Sequence, residues 1–325
     1  MKNYKKAYIF CILLFTLPAS LPALEVGAVF ALENFDFTNA REYDDTEFGG
    51  MNLLWGGAFF LRHTLADNVS LEAGFFRDTI LRNISYTLIN YNIQILSLGV
   101  GPFFGFLNSA GTIMKSGIST SVQLEFPGIA FLKFRSDNSI GGRLIEEGDY
   151  LQERNDISIG FYVYNAICSL NVNSRKFTQN LTSSTGYEVV DNLTDYSFKT
   201  DIFQKNLPYR LLFSFGFQTL SKKYFDTNPT ISIGADVVTG PDHSHEGTLD
   251  LAEPVKHTLN SIVIGVAADI SITDYLVLLL NLESSIYTFG QHELLGIPNP
   301  GPGGYLFRAS TGIRLDFDRL RPSVR

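Results

Sequence analysis

Charged side chains recur inside alternating apolar segments of this sequence, and they are the residues best placed to do chemistry. Seven stand out: Glu25, Arg62, Arg210, Asp269, Glu283, Arg308 and Arg314. Carboxylates and guanidinium groups on one confined wall either set a field that selects ions and polar solutes, or pair with one another and fill the space. Both interpretations stay open for each residue. Glu25, Asp269, Glu283, Arg308 and Arg314 are predicted to form the narrowest point of the interior.

Metal binding is a second chemistry to consider, because His243 and His245 stand two residues apart. In an extended segment this spacing puts both rings on one side, as zinc ligands require. A solvated acidic loop is the alternative. Glu146 and Glu147 are accompanied by no nucleophile motif or zinc-protease motif. We therefore expect no enzyme activity, no cofactor and no resident metal.

The elements that would position the charges are β-strands, because apolar residues recur with period two. The segment 260–273 shows this best, with Ile262, Ile264, Val266, Ala268, Ile270 and Ile272 on one face. Ser261, Gly265 and Asp269 lie on the other face. Several such segments run about ten residues or more, which suits tilted membrane-spanning strands better than the shorter strands of a soluble β-sandwich. The soluble sandwich remains the alternative.

Fourteen strands are predicted, with twelve as the alternative, and the predicted fold is an all-β antiparallel transmembrane β-barrel. Their bounds are 25–35, 49–62, 69–79, 84–105, 115–126, 129–136, 156–164, 166–178, 193–204, 208–220, 230–239, 257–272, 275–289 and 305–317. An even count places both termini on one side. Tight turns are expected at 65–68 and 273–275. The phase shift between Tyr86 and Phe104 is interpreted as a β-bulge, and Phe126-Pro127-Gly128 as a hairpin turn or a kink.

Composition and charge exclude several classes. The 325 residues are 45% hydrophobic and 18% charged, with a net charge of −8. The chain is too apolar for disorder. An acidic protein lacks the basic surface that a phosphate backbone selects, so no nucleic-acid partner is expected.

The amino terminus, residues 1–23, is interpreted as a signal peptide. Lysines at the start precede an apolar core at 7–17 that is too short to span a bilayer. Cleavage is predicted after Ala23, and an uncleaved anchor helix is the alternative. Cys168 is then the one remaining cysteine and cannot form an intramolecular disulfide.

The last predicted strand ends in a recognisable pattern. Ser310 is followed two residues later by Gly312, and hydrophobic residues then alternate through Leu315 to the aromatic Phe317. This resembles the C-terminal assembly signal of bacterial outer-membrane β-barrel proteins. The resemblance implies an outer-membrane location, with outer-membrane lipid and the barrel-assembly machinery as partners. In that family Phe is normally the last residue, whereas residues 318–325 follow here and are predicted to form a periplasmic tail after a barrel domain at 24–317.

Three functions fit such a barrel. A porin-like passive channel for small polar solutes of unknown identity is favoured, because small residues predicted inside leave room. Fourteen strands also resemble the long-chain fatty-acid transporter class, which implies transport of hydrophobic molecules, although no N-terminal plug precedes the first strand. An apolar path would be lined by Phe60, Phe76, Tyr162, Tyr164 and Leu212. A surface interaction or structural protein displaying loops 240–256 and 290–304 is the third possibility, and the aromatic-rich, Trp-poor composition is similar to spirochaete outer-membrane proteins.

Overall fold

Alternation of apolar and polar residues continues through fourteen strands, which pair into one antiparallel sheet. The computed structural model describes residues 24–33, 54–107, 114–140, 144, 148–180, 188–203, 207–224, 255–291 and 306–317. The strands are β1 (Leu24–Glu33), β2 (Leu54–Ala66), β3 (Val69–Asp78), β4 (Arg82–Ile93), β5 (Leu96–Phe106), β6 (Met114–Phe126), β7 (Ala130–Ser139), β8 (Tyr150–Val163), β9 (Ala166–Asn180), β10 (Glu188–Phe203), β11 (Tyr209–Tyr224), β12 (Val255–Ser271), β13 (Leu276–Gln291) and β14 (Phe307–Asp316). Within these ranges no helix is long and apolar enough to cross a membrane.

The sheet closes into a barrel because β1 pairs with β14. Every other strand pairs with its neighbours in sequence, and the closing register sets Glu25 beside Asp316 and Glu33 beside Arg308. A closed sheet has no free edge, so the backbone groups are satisfied between strands. The predicted all-β antiparallel barrel of fourteen strands is confirmed.

The count is right although two of the predicted strands are not among those observed. The predicted strand 84–105 is two strands, β4 and β5, joined by a tight turn at Gln94, where φ is 47°. The predicted bulge is therefore wrong: a two-residue hairpin turn also reverses the parity of the apolar positions, since Ile93 pairs with Leu96. The predicted strand 230–239 lies outside the described residues, and β11 pairs directly with β12.

One end of the barrel carries short turns, and we call it the short-turn end. Such turns lie at 67–68, 94–95, 127–129, 164–165 and 272–275, so the turns predicted at 65–68 and 273–275 are confirmed. The Pro127-Gly128 step is a hairpin turn, with Gly128 at a φ of 71°. The start of β1 and the end of β14 lie at this end, as predicted. We call the opposite end the long-loop end.

The outer face of the barrel carries an apolar band, which begins at the short-turn end and covers most of the barrel's height. Its exposed members include Ile89, Val100, Phe215, Val266 and Leu282. Exposed aromatic residues occur along the outer face, and those at the short-turn end are Tyr91, Phe126, Tyr164, Tyr209 and Tyr275. An apolar band bordered by aromatic side chains is the surface that a barrel presents to lipid.

Near the long-loop end the pattern inverts on β8 to β12. On β11 the outward residues, read upward, are Phe213, Phe215, Phe217, Thr219 and Ser221, so the outer face turns from apolar to polar. The inner face changes the other way, because Leu193, Leu220 and Leu259 are buried inside. Polar outside and apolar inside is the arrangement of a water-soluble sheet. These strands therefore continue past the apolar band by several residues.

Candidate functional site in the barrel interior

The connection between β3 and β4 turns into the barrel. It consists of Thr79, Ile80 and Leu81, and we call these residues the lid. Ile80 is 4% exposed and Leu81 is fully buried. At the long-loop end this is the one connection that the structure describes from strand to strand. A short connection between two strands is expected to lie at the rim of a barrel. The burial of the lid therefore requires side chains inside the barrel that pack against it.

Those partners come from the opposite wall. Ile80 belongs to one buried cluster with Tyr150, Phe177, Leu193, Leu220, Leu259 and Leu306. Leu193, Leu220 and Leu259 are cross-strand neighbours on β10, β11 and β12, so they form a row. Leu81 packs with Ile84 and Phe103 on its own side. Within the described part of the chain, the lid thus crosses the interior and covers it with apolar contacts.

Two carboxylates hold the backbone of the lid. Glu33 accepts a hydrogen bond from the Thr79 amide at 3.0 Å and is itself paired with Arg308 at 2.6 Å. Asp78 accepts from the Ile80 amide at 3.0 Å and lies 3.3 Å from the Arg175 guanidinium on β9. The turn needs these acceptors because its amides have left the strand ladder. Each acid is in turn neutralised by an arginine from another strand.

Four buried polar atoms around the lid have no hydrogen-bond partner among the described residues: Asp78 Oδ2, Thr79 Oγ1, Gln152 Oε1 and Arg175 Nε. Asp78 Oδ2 is the atom that lies 3.3 Å from the Arg175 guanidinium. Gln152 also donates through its amide nitrogen to the Leu81 carbonyl. A buried polar atom without a partner costs about 1–3 kcal/mol. The covered state of the lid is therefore stabilised by apolar contacts and opposed by the polar groups beside them.

A ladder of alternating charges crosses the middle of the interior. It runs Arg62, Glu72, Arg135, Asp137, Arg154 and Asp156, with successive distances of 3.8, 2.9, 3.1, 3.7 and 2.6 Å. Arg135 also lies 3.7 Å above the Tyr86 ring. The ladder links β2 and β3 to β7 and β8 across the lumen. Its acids and bases neutralise one another.

The sequence reasoning missed most of this ladder, although a signal was present. Arg135-Ser-Asp137 and Arg154-Asn-Asp156 repeat one spacing, and residues two apart share a face of a strand. The predicted strand began at 156, whereas β8 begins at Tyr150. Arg154 was therefore placed in a loop.

Two neighbouring cavities of the interior lie below the lid. The larger is about 710 Å³ and is lined by Thr64, Ser70, Asn90, Asn92, Ser97, Ser121, Gln123, Ser158 and Asn173 together with charged residues of both signs. Several of these flank the short turns, so the cavity reaches the short-turn end. The smaller, about 470 Å³, lies along β1 to β3 and includes Phe60, Phe76 and Tyr86. Arg62 and Glu72 line both cavities. We call the two together the chamber.

The seven predicted charges point inward but do not form one ring. Arg314 lies 3.7 Å from Glu25 and 3.5 Å from Asp269, near the short-turn end. Arg308 lies higher, paired with Glu33 and beside Glu283 in the strand register.

The remaining two belong to other pairs. Arg62 joins Glu72, and Arg210 donates to Asp201 at 2.6 Å. The structure therefore brings Glu25, Asp269 and Arg314 together at one height, with Arg210 beside Asp269 in the strand register, and places Arg308 with Glu283 at another.

Other predicted features fall at identifiable places. Tyr164 is 100% exposed in the turn between β8 and β9, so it does not line an interior path, contrary to the prediction. Ser310 lines the smaller cavity, and Gly312 packs against Ala28 and Val29 of β1. Leu315 and Phe317 are half-buried at the end of β14. Recognition of this C-terminal strand by the barrel-assembly machinery stays a prediction.

Several predictions lie outside the described residues: His243, His245, the signal peptide at 1–23, the tail at 318–325 and most of loops 240–256 and 290–304. In the described ranges no group of three or more His, Cys, Asp or Glu side chains is arranged to hold a metal ion.

Comparison with known proteins gives only distant similarities. No protein-family model matches the chain, and no curated protein matches its sequence. Among solved structures, it is similar to an outer membrane channel from Pseudomonas putida F1 at 9% identity and a TM-score of 0.46, covering 93% of this chain and 97% of that one. A bacterial polysaccharide outer membrane secretin matches at 10% identity and 0.42, covering 90% and 98%. Because these TM-scores are below 0.5, the fold assignment rests on the strand register.

Proposed function

We propose that this protein is a channel of the bacterial outer membrane for small polar solutes, held closed in this state by its lid. The observation that carries the proposal is the chamber, an interior space lined by hydrogen-bonding and paired charged side chains. A structural scaffold does not require an interior lined in this way. The apolar outer band and its aromatic border support the membrane location.

The hairpin that carries the lid is paired with β5 at nine positions, with one gap at which its end can bend. Pairing between β4 and β5 is interrupted at Thr87 and Leu88, opposite Gly101 and Pro102. Proline has no amide hydrogen to donate to a neighbouring strand. Opening would expose Ile80 and Leu81 to water while hydrating Thr79, Gln152 and Arg175. Apolar contacts therefore favour the covered state of the lid, and hydration of the polar groups favours the open state. A gate requires two states that are balanced in this way.

Solute flux through the purified, refolded protein tests the proposal. In liposomes, the folded barrel is expected to let arabinose enter faster than protein-free or heat-denatured controls, with intermittent current steps in planar bilayers. Folding is verified by the shift in electrophoretic mobility on heating. The channel proposal would be wrong if the folded barrel passed neither ions nor arabinose, including when the lid is disrupted by Ile80→Asn.

The membrane boundary on β11 gives a separate prediction. Phe215 is 57% exposed within the apolar band, so Phe215→Arg is expected to destabilise the barrel in lipid by about 2–4 kcal/mol. Ser221 faces outward on the same strand above the band, so Ser221→Arg is expected to change stability by no more than about 0.5 kcal/mol. Denaturant unfolding in phosphatidylcholine vesicles measures both. Equal effects of the two variants would contradict the proposed boundary.

A further inference from the structure

We infer that the chamber is built for uncharged, polyhydroxylated solutes, that is, sugars of one or two rings. This inference rests on the proposed channel function and adds the class of solute. It is carried by three features of the chamber: cancelled charge in the larger cavity, a high density of neutral hydrogen-bonding groups there, and an aromatic surface in the adjoining cavity.

The acidic and basic side chains that line the larger cavity are equal in number, and most of them contact a side chain of opposite charge. Its lining has three basic residues, Arg62, Lys133 and Arg135, and three acidic ones, Glu72, Glu125 and Asp156. Glu72 is shared between Arg135 at 2.9 Å and Arg62 at 3.8 Å. A wall concentrates ions of one sign only when its side chains carry an excess of the opposite charge. This wall has none, so it offers a charged solute little to offset the loss of its hydration.

Two of the remaining charges are also engaged. Asp156 is held by Arg154 at 2.6 Å. Glu125 accepts hydrogen bonds from Gln123 at 2.6 Å and Tyr162 at 2.9 Å. Each acid of the wall therefore already has a hydrogen-bond or ion-pair partner. The neutral groups remain as contacts for a solute, together with Lys133, whose ammonium lies 4.9 Å from the Phe131 ring.

Neutral hydrogen-bonding side chains dominate the rest of the lining. Hydroxyl and carboxamide groups can both donate and accept, which matches the alternating demands of sugar hydroxyls. Nine such residues come from seven strands, β2 to β6, β8 and β9, namely Thr64, Ser70, Asn90, Asn92, Ser97, Ser121, Gln123, Ser158 and Asn173. A solute with hydroxyls around its ring could therefore contact several strands at once.

The adjoining cavity adds aromatic surface. Phe60 packs over Gly27, where a Cβ on the glycine would come within 2.1 Å of the ring, so the absence of a side chain leaves room for the ring to lie along the wall. Phe60 and Phe76 both line this cavity. Arg154 lies over the Phe76 ring at 4.9 Å, whereas the Phe60 ring gives an apolar surface on which the C–H face of a sugar can rest while its hydroxyls reach polar groups. A cavity of about 470 Å³ is within the range that binds small molecules.

Liposome swelling with matched solutes tests the inference. The channel with its lid opened by Ile80→Asn is given arabinose, maltose, gluconate and glucosamine. The two sugars are expected to enter several-fold faster than the anion and the cation. Entry of all four at rates set by size alone, or faster entry of a charged solute, overturns the solute class while leaving the channel function standing. No entry of any solute and no ion current would instead count against the channel itself.

Occlusion of the current by maltose provides a second readout. Phe60→Leu in the opened background is expected to weaken this block about tenfold. Phe30→Leu on the neighbouring strand β1 is the matched control, because Phe30 is exposed on the outer face. An unchanged block in Phe60→Leu, or an equal loss in both variants, argues against sugar contact at this wall. Heat-modified mobility checks that both variants fold.

Discussion

Ile80→Asn is expected to turn a mostly closed barrel into a mostly open one. The side chain of Ile80 lies in one buried cluster with Leu193, Leu220 and Leu259, and an amide in its place would lose these apolar contacts. Losing the burial of such a side chain costs about 2–5 kcal/mol, which is roughly 30-fold to a few thousand-fold in the equilibrium between covered and open lid. Planar-bilayer recording should show the open fraction rising from rare events to sustained current.

The design separates an effect on the lid from an effect on the barrel. Ile89→Asn, on the outer face of the same hairpin, is the matched control: it changes the same residue type in β4 without touching the lid cluster. A Cys168→Ser, Ile80→Cys variant adds an independent measurement, since a bulky maleimide should label the cysteine slowly when the lid is covered. Sustained current in the unaltered protein, or rapid labelling of that cysteine, would show that the lid does not close the lumen.

The barrel was predictable from sequence because its dominant signal is local. Alternation in segments such as 260–273 reports which face meets lipid, and it needs no knowledge of distant residues. Strand ends were less predictable where the pattern inverts. Predicted strands began at 156 and 193, whereas β8 begins at Tyr150 and β10 at Glu188. The residues left out of the predicted strands lie where the outer face of the strand turns polar. An apolar outer face therefore predicts a strand only as far as the edge of the apolar band.

The lid was not predictable in the same way, because nothing local in Asp78-Thr-Ile-Leu81 says that it turns inward. Its burial depends on a leucine row whose members are 113 to 179 positions away in the sequence. Individual inward charges could be assigned from parity, as Arg308 and Glu283 were. Their partners could not, because pairing depends on strand tilt and on which strands face one another across the lumen.

Arg308 illustrates how the structure changes the interpretation of a predicted charge. From sequence it was one member of a narrow ring with Arg314, Glu25, Asp269 and Glu283. In the structure it neutralises Glu33, which is 1% exposed and holds the Thr79 amide of the lid. Removing one partner of a buried ion pair leaves an uncompensated charge and costs about 3–5 kcal/mol. Arg308→Met is therefore expected to lower the barrel's unfolding free energy by about that amount and to raise the open fraction.

Two comparisons make this expectation specific to the buried pair. Arg62→Met removes an arginine whose side chain is 59% exposed and 3.8 Å from Glu72, so solvent screening limits the expected loss to about 0–1 kcal/mol. The double variant Arg308→Met, Glu33→Gln is expected to recover most of the stability, because a neutral Gln still accepts from the Thr79 amide without needing a counter-charge. If Arg308 instead acted only as part of a selectivity ring, Arg308→Met would change the ratio of cation to anion flux while leaving opening frequency and stability unchanged. Denaturant unfolding together with single-channel recording distinguishes these outcomes, since the lid anchor predicts a loss of stability and longer openings in the same variant.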